Sequence, residues 1–225
     1  MNFKNKILNI FDKRFKEQID VNSINIARLI EQNIFSNISS PKNLQNLEFK
    51  CFSQFGDDGI ISWLINNLSK IVNNDFHFYE VGCGNLDESN SKYTSLSKNI
   101  RSTVIDSNSN NISKIKNSYV YQKYDVNPIC SFVNKDNINS FFKTNNYTNL
   151  LSLDIDGIDF WVAKNIDFEK FNFAFFVCEI NPVFGYEDKL SVIYKEDFDR
   201  WDFSETGNLY GASIQAFISL MKKRN

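Results

Sequence analysis

Four acidic residues stand at or beside the ends of short apolar segments: Glu80, Asp106, Asp154 and Glu179. Each segment has the length and composition of a buried β-strand. The carboxyl ends of parallel strands meet at one edge of a sheet, and ligands bind beyond that edge. We therefore expect the four carboxylates to converge at one site, where they can accept hydroxyl hydrogens, exchange a proton or hold a cation.

The first of these segments, Phe76–Val81, ends in the turn Gly82-Cys83-Gly84-Asn85. Glycine lets a backbone approach a ligand closely, and the amides of such a turn can face that ligand. Asp106 ends the next segment, where a carboxylate can accept both hydroxyls of a ribose. A Gly-x-Gly by itself is often only a tight turn. With a strand before it and an acid at the next strand end, it predicts binding of a nucleoside-containing cofactor.

A second motif, Asp154-Ile155-Asp156-Gly157, allows a different chemistry. It resembles the nucleophile motif of haloacid-dehalogenase-type phosphatases, in which the first Asp attacks phosphorus and the second acts as acid and base. That chemistry also needs a lysine and a further acidic pair for Mg²⁺, and few residues remain for them downstream. The glycine turn would be left without a role, so the phosphatase is kept as an alternative hypothesis.

The candidates for a general base are carboxylates rather than a histidine. The chain has one histidine, His77, which lies near the start of its predicted strand, at the end of the sheet away from the expected site. We therefore expect His77 to be structural. If the reaction needs a base, the candidates are Asp154, Asp156 and Glu179.

The same region offers ligands for a metal ion and contacts for a substrate. Asp154, Glu179 and Asn181 carry the hard oxygen ligands that suit Mg²⁺, which would orient an acceptor hydroxyl and lower its pKa. Alternatively, Glu179 and Asn181 form hydrogen bonds without metal. Two residues of the late loops, Tyr194 and Tyr210, are candidate acceptor contacts together with Asn181.

The hydrophobic pattern predicts the elements that position these residues. Apolar strand-like segments alternate with helical ones, as in a parallel sheet covered by helices on both faces. Strands are predicted at 76–81, 102–105, 119–121, 150–153 and 173–178. Helices are predicted at 3–35, 53–68, 109–117, 136–144 and 210–222.

Composition narrows the function classes. A chain of 225 residues with 42% hydrophobic residues fits one globular domain with a small appendage. A net charge of −2, without a basic stripe, disfavours a nucleic-acid partner. No segment has the features of a signal peptide or a membrane-spanning helix. Four widely spaced cysteines without a Cys-x-x-Cys pair predict free thiols and a cytoplasmic location.

Several motifs together resemble the class I S-adenosylmethionine (SAM)-dependent methyltransferases, and within them a bacterial FkbM-like family. The segment Phe78–Asn85 is similar to their first motif, with Leu86 in place of a third glycine. The wider match covers roughly residues 50–220 and includes Ser53–Gly59, Leu151–Trp161, Glu179–Asn181 and Tyr210–Ser213. Members of that family often act in capsule and surface-polysaccharide biosynthesis.

This resemblance implies a Rossmann-like class I methyltransferase fold. Residues 46–225 would form the SAM-binding domain, and residues 1–45 an N-terminal helical extension and linker. The family usually has a final pair of strands, for which the sequence up to Asn225 offers no candidate. Two alternatives follow: either the sequence is a shortened one, or the sheet lacks that pair.

The resemblance also implies roles for individual residues. The glycine turn and Glu80 would line the methionine end of SAM, Asp106 would hold the ribose, and Asp125, after the third strand, would lie near the adenine. Asp154 and Asp156 would lie where cofactor meets acceptor. The implied cofactor contacts are Gln54, Glu80, Gly82, Cys83, Gly84, Asn85, Asp106, Ser107, Asp125 and Asp154.

The implied reaction is transfer of the SAM methyl group to an oxygen of a small polar acceptor. The acceptor would be a sugar hydroxyl, or a phosphoryl- or phosphoramidate-type oxygen, on a capsule precursor. Besides the phosphatase, a second alternative to the methyltransferase is a non-catalytic binding module with the same fold. The sequence does not indicate an oligomeric state.

Overall fold

A computed structural model describes residues 3–38, 40–72, 75–144 and 146–223 of the chain. Its strands are β1 (Phe76–Val81), β2 (Arg101–Asp106), β3 (Val126–Cys130), β4 (Thr148–Leu153) and β5 (Phe173–Cys178). They form one sheet in the order β3-β2-β1-β4-β5, and every neighbouring pair is parallel. This is the doubly wound order, with its reversal between β1 and β4, and it confirms the predicted Rossmann-like α/β fold.

The α-helices alternate with these strands. They are α1 (Phe3–Asn37), α2 (Asp57–Leu68), α3 (Lys92–Lys98), α4 (Ser109–Lys116), α5 (Tyr119–Lys123), α6 (Asp159–Asn165), α7 (Arg200–Phe203) and α8 (Ile214–Lys222). Short 3₁₀ helices span Leu44–Leu47, Ile138–Phe141 and Pro182–Phe184. The helix predicted at 136–144 is therefore only one 3₁₀ turn, and the others match their predictions to within a few residues.

Side chains of the central strands alternate between two packed faces, as the period of two requires. In β1, Tyr79 and Val81 pack on one face with α6 and α8. Phe78 packs on the other face, beneath α2. Glu80 shares the face of Phe78 rather than that of Val81, and this parity decides its role below.

The third strand is where the prediction was wrong. Tyr119-Val120-Tyr121 forms helix α5 instead of a strand, because Ser118 caps its first turn and the Tyr119 hydroxyl reaches α1. The true strand β3 contains Pro128 and lies at the edge of the sheet, where a missing N–H is tolerated. Local β-propensity was overridden by this cap and by tertiary contacts.

The inner face of helix α1 is joined to the rest of the molecule through two buried carboxylates. Asp20 accepts hydrogen bonds from Lys92 Nζ at 2.8 Å and from the Tyr119 hydroxyl at 2.6 Å. Because Lys92 is itself 3% exposed, this ion pair is shielded from water. Removing one partner of such a pair is costly, since it leaves a buried charge uncompensated.

The second carboxylate, Glu31, lies three turns further along the same face. It accepts hydrogen bonds from Ser62 at 2.6 Å, the Tyr93 hydroxyl at 2.6 Å and Lys98 Nζ at 2.5 Å. Helix α1 therefore holds α3, the helix that follows the glycine turn, at both ends. The predicted domain boundary at residue 45 stays a prediction.

Two further expectations concern single residue types. His77 is buried near the start of β1 and is hydrogen-bonded to Thr103 at 2.9 Å, as a structural residue would be. Burial lowers the pKa of His77 to about 4, so it is neutral at physiological pH. The four cysteines are free thiols. Within the described ranges, no helix combines the length and apolar character needed to cross a bilayer.

Candidate functional site

A cavity opens at the carboxyl ends of β1, β2 and β4, where the strand order reverses. Its volume is about 280 Å³, close to the lower end of the usual range for ligand pockets. The lining residues are Val81, Gly82, Gly84, Ile105, Asp106, Ser107, Ser131, Phe132, Val133, Asp154, Ile155, Asp156, Gly157, Ile158 and Phe198. The site thus lies beyond the carboxyl ends of the strands, as predicted, and at the point where the strand order reverses; Asp106 and Asp154 both reach it.

Gly82 makes this geometry possible. A Cβ added at Gly82 would overlap the backbone carbonyl oxygen of Asp154, and the residue also has a φ of +87°. The Asp154 amide meanwhile donates to the Val81 carbonyl at 3.0 Å. The ends of β1 and β4 therefore touch through backbone atoms. At Gly84 an added Cβ would meet no atom within 4 Å, so this glycine faces open space.

Three amides of the glycine turn are used within the protein. Gly82 and Cys83 donate to the Ile105 carbonyl at 2.8 and 3.2 Å, and Gly84 donates to Asp106 Oδ2 at 2.9 Å. The expectation that the glycine amides face a ligand is therefore corrected. These bonds clamp the turn to the end of β2, so Gly82 and Gly84 offer a ligand surface and shape rather than free donors.

Asp106 organises the nucleoside side of the cavity. Its Oδ1 accepts hydrogen bonds from the Asn108 amide at 2.8 Å and Asn111 Nδ2 at 3.2 Å, and among the described residues Oδ2 accepts from the Gly84 amide alone. A carboxylate has about four lone-pair sites. Oδ2 therefore keeps acceptor capacity, and because Asp106 lines the cavity, that capacity suits a ligand hydroxyl.

Glu80 does not line the cavity, contrary to prediction. Its side chain is fully buried on the opposite face of the sheet. There it accepts hydrogen bonds from the Ser89 hydroxyl at 2.7 Å, the Asn90 amide at 2.7 Å and the Ser91 hydroxyl at 2.5 Å. Burial raises the pKa of Glu80, and these hydrogen bonds oppose that rise. Glu80 therefore stabilises the loop at residues 89–91 from the face of the sheet opposite the cavity.

Four other predicted cofactor contacts also lie outside the lining. Cys83 is buried beneath the turn, Asn85 bonds to Asp87, and Gln54 is exposed on the loop before α2. Asp125 precedes β3 instead of following it, and it pairs with Arg101 at the start of β2. Its predicted position near an adenine is therefore wrong, because that end of the sheet is opposite the cavity.

The residues that actually follow β3 contribute instead. Ser131, Phe132 and Val133 line the cavity, and the Phe132 side chain is 50% exposed there. They were not predicted, because the third strand was expected at 119–121 instead of Val126–Cys130. With the correct strand, the expectation that residues just after a strand end meet the ligand would have identified them. Phe198, from the late loop, carries no comparable signal.

The opposite side of the cavity is acidic. Oxygen atoms of Asp154, Asp156 and Glu179 all lie within 4.8 Å of one another. Burial, followed by the negative charge of Asp154, raises the pKa of Glu179 to about 8. Burial and the charge of Asp156 also raise the pKa of Asp154, which is hydrogen-bonded to Glu179. Near neutral pH, Asp154 and Glu179 therefore share a proton, as closely spaced carboxyl groups do.

Two side chains from the late loops complete this acidic edge. Arg200, at the start of α7, forms an ion pair with Asp156, and its guanidinium lies 4.8 Å from the centre of the Tyr210 ring. Tyr210 is hydrogen-bonded to Glu179, and burial together with that carboxylate raises the pKa of Tyr210 to about 12. Tyr210 therefore lies beside the predicted catalytic acids. Arg200 was missed, since an isolated arginine in a loop has no motif.

Asp159 gives the loop after β4 its shape. Its fully buried carboxylate accepts hydrogen bonds from the Ile155 amide at 2.8 Å and the Gly157 amide at 2.9 Å. Burial raises the pKa of Asp159 to about 6. Between these amides Asp156 takes a left-handed φ of +53°, which turns it towards Arg200.

The other two predicted acceptor contacts are committed elsewhere. Asn181 is 1% exposed, and its side-chain amide donates to the carbonyls of Asn208 and Tyr210 at 2.7 and 2.9 Å. It therefore has no free donor for an acceptor, and its oxygen accepts from the Val183 amide instead of holding a metal. Tyr194 packs its ring against Trp161 and lies outside the cavity lining. Both residues stabilise the late loops.

Comparison with known proteins gave structural likenesses only. No protein-family model and no curated protein matches the chain. Geranyl diphosphate C-methyltransferase from Streptomyces coelicolor A3(2) is 11% identical, with a TM-score of 0.44 over 83% of this chain and 68% of that one. A SAM-dependent methyltransferase from Clostridium acetobutylicum ATCC 824 is 13% identical, with a TM-score of 0.38 over 62% and 56%.

A third solved structure is the plantazolicin methyltransferase BamL, which is 20% identical, with a TM-score of 0.34 over 48% of this chain and 39% of that one. The chain thus spans well under two thirds of the length of several of these structures. With TM-scores below 0.5, the likenesses carry no conclusion about activity. What the site does must be argued from its own residues.

The two glycines of the turn predict different costs of substitution. Gly82→Ala should destabilise the protein by ~3 kcal/mol or more, because β1 and β4 must separate to admit the methyl group. Gly84→Ala, the matched control, should cost only about 1 kcal/mol, the penalty of a left-handed alanine. Urea denaturation measures both. Equal losses would contradict the contact between strand ends.

The shared proton predicts a pH dependence of stability. The pKa of Glu179 is raised from 4.5 to about 8 in the folded state. Its contribution to the free energy of unfolding is therefore fully present below pH 4.5 and is lost as the pH rises to about 8. Glu179→Gln keeps a hydrogen-bond donor without a proton to lose. Its free energy of unfolding should exceed that of wild type by on the order of 1 kcal/mol at pH 9, and by little near pH 4.5.

Urea denaturation across this pH range, with exposed Glu205→Gln as control, measures the effect. The control should follow wild type at every pH. Identical pH profiles for wild type and Glu179→Gln would contradict the proton sharing.

Proposed function

We propose that this chain is a SAM-dependent methyltransferase that methylates a hydroxyl oxygen of a small polar acceptor. The observation that carries the proposal is the cavity at the switch point, which is lined on one side by a ribose-type carboxylate, Asp106, and on the other by Asp154, which shares a proton with Glu179 outside the lining. Among the residues that the structure describes, its lining contains three aspartates and no lysine, arginine or histidine. Such a lining favours a cationic sulfonium nucleoside over a phosphate-bearing ligand.

The nucleoside half of SAM fits the side of the cavity formed by β2 and β3. The remaining acceptor site on Asp106 suits a ribose hydroxyl, and Ser107 lies next to it. The half-exposed Phe132 ring and Ile105 offer apolar surface for an adenine. Gly84, which faces open space, leaves room for the sulfonium and the methionine portion, whose sulfur is bonded directly to the ribose C5′.

The position of Glu80 argues against a dinucleotide cofactor. Dinucleotide-binding folds place the pyrophosphate at the N-terminus of the helix after the glycine turn. Here Glu80 already accepts the Asn90 and Ser91 amides just before α3, at 2.7 and 3.2 Å. A second anion there would meet a buried carboxylate. SAM has no phosphate and does not need that position.

The acidic edge supplies the groups for the acceptor. When bound, SAM supplies an electrophilic methyl group on a positively charged sulfur. Asp154 lies in the cavity and is placed to accept a hydrogen bond from the acceptor hydroxyl and to take its proton as the new O–CH₃ bond forms. Glu179 tunes the basicity of Asp154, and Tyr210 and Arg200 hold Glu179 and Asp156 in place.

The charge of this edge bears on the class of acceptor. A phosphoryl oxygen would bring negative charge towards Asp154 and the acidic groups around it, whereas a sugar hydroxyl is neutral and can donate a hydrogen bond to Asp154. We therefore favour the sugar hydroxyl. The motif resemblance to the FkbM-like family supports a capsule or surface-polysaccharide precursor as its source.

A divalent cation is compatible with the same cluster. Asp154, Asp156 and Glu179 offer three carboxylate oxygens to Mg²⁺, with Asp156 in the place predicted for Asn181. Binding would displace the shared proton, and the cation would orient the acceptor hydroxyl. The phosphatase alternative would require Mg²⁺ here together with a lysine.

The proposal predicts SAM binding that depends on Asp106. In isothermal titration calorimetry, wild type should bind SAM and S-adenosylhomocysteine, with or without Mg²⁺. Asp106→Asn should weaken binding roughly 10- to 100-fold, because a charged hydrogen bond to ribose is lost. The matched control Asp125→Asn, at the opposite end of the sheet, should bind like wild type. Folded wild type that binds neither ligand would end the proposal and favour the phosphatase.

A further inference from the structure

Helix α1 has a second apolar face that the part of the chain described by the structure leaves largely uncovered. Six large apolar side chains on it are exposed: Phe11 67%, Phe15 70%, Ile19 47%, Ile26 60%, Leu29 68% and Ile30 40%. At 3.6 residues per turn they fall within an arc of ~100°. We call these six residues the outer stripe. The opposite side of the helix carries Asp20, Ile24, Ala27 and Glu31, which are buried against the body of the protein.

The outer stripe is large for a surface that stays in water. With side-chain areas near those of buried aromatics, these exposures leave on the order of 600 Å² of apolar surface per chain. Monomeric proteins rarely expose a contiguous apolar patch of more than a few hundred Å². Two such stripes in contact would bury on the order of 1,200 Å², the lower bound for a stable interface.

The N-terminal part of the stripe also lacks support from the body. Residues 11–16 are exposed around the whole helix, and Lys16 bonds only to Asp87 at the margin. Isolated helical turns are marginal in water, and most helices are stabilised by packing an apolar face. Phe11 and Phe15 would supply that packing if a partner covered them.

Two pairs of stripe residues lie symmetrically about the midpoint between Asp20 and Val21: Phe11 with Ile30, and Phe15 with Ile26. Ile19 is mirrored by Asn22, and Leu29 by Asp12. A two-fold interface requires such self-complementarity, because residue i must meet j while j meets i. In an antiparallel pair, Phe15 would contact the partner's Ile26.

We propose that the occupant is a second copy of this chain, bound through an antiparallel, two-fold pair of α1 helices. The flanks of the stripe fit a protein partner better than a membrane surface. They carry amides, namely Gln18, Asn25 and Gln32, and three charged residues, Asp12, Arg14 and Lys16, of which Lys16 is paired with Asp87. A helix that lies on an anionic membrane needs a strongly basic flank. Asn22 lies on the same face as the stripe, and a polar residue of this kind sets register in helix pairs.

The test is the mass of the full chain at micromolar concentration, measured by light scattering after size exclusion. Wild type should be a dimer. Phe15→Lys and Ile26→Glu should each raise the dimer dissociation constant at least ~10-fold, because they place a charge in an apolar contact. The double variant should recover part of the dimer, because each introduced lysine then faces an introduced glutamate. Parallel helices would give no such rescue.

The control is Ile193→Glu, which changes an equally exposed isoleucine outside α1 and should remain dimeric. Circular dichroism shows whether each variant is folded. A monomeric wild type, or a dimer that Phe15→Lys and Ile26→Glu leave intact, would overturn the proposal. So would a monomer that sediments with phosphatidylcholine–phosphatidylglycerol vesicles and loses that binding in Ile26→Glu, which would assign the stripe to a membrane surface.

Discussion

The backbone contact between the ends of β1 and β4 is the constraint on which the site depends. Gly82 lies so close to the Asp154 carbonyl that no side chain fits between them, and the Asp154 amide is bonded to Val81. Because the strand order reverses here, the chains leaving β1 and β4 diverge directly above this contact. The cavity is the space between them. A cofactor held against the glycine turn therefore lies beside the carboxylate that follows β4.

The carboxylates around the site serve two separate purposes, and burial with hydrogen bonding distinguishes them. Asp58, Glu80 and Asp159 are buried and accept at least two backbone amides each, so they fix the shapes of the loops before α2, before α3 and after β4. Asp106 and Asp154 reach the cavity and keep acceptor capacity for a ligand. Glu80 and Asp106 both stand at or beside a strand end, so only the direction of the side chain decides whether such an acid meets the ligand.

The sequence was sufficient to predict the sheet class and the meeting of Asp106 and Asp154 at the carboxyl ends of the strands, because both follow from the pattern of strands and strand ends. The prediction failed at Glu80, because successive side chains of a strand point to opposite faces of the sheet and Glu80 points away from the cavity. The prediction failed at Asp125, because Tyr119–Lys123 has the composition of a strand but forms helix α5. Asp125 therefore precedes the third strand instead of following it. Arg200 and Phe198 could not be predicted, since their approach to the cavity depends on how the long loop after β5 folds back, and no local pattern encodes that path.

The most direct measurement is a crystal structure of the protein with S-adenosylhomocysteine, whose sulfur marks where the methyl group would start. The account predicts that a ribose hydroxyl bonds to Asp106, that the adenine lies against Phe132, and that the sulfur faces Asp154 across the glycine turn. Ligand bound elsewhere on the molecule, or a ribose in the cavity with no contact to Asp106, would contradict it.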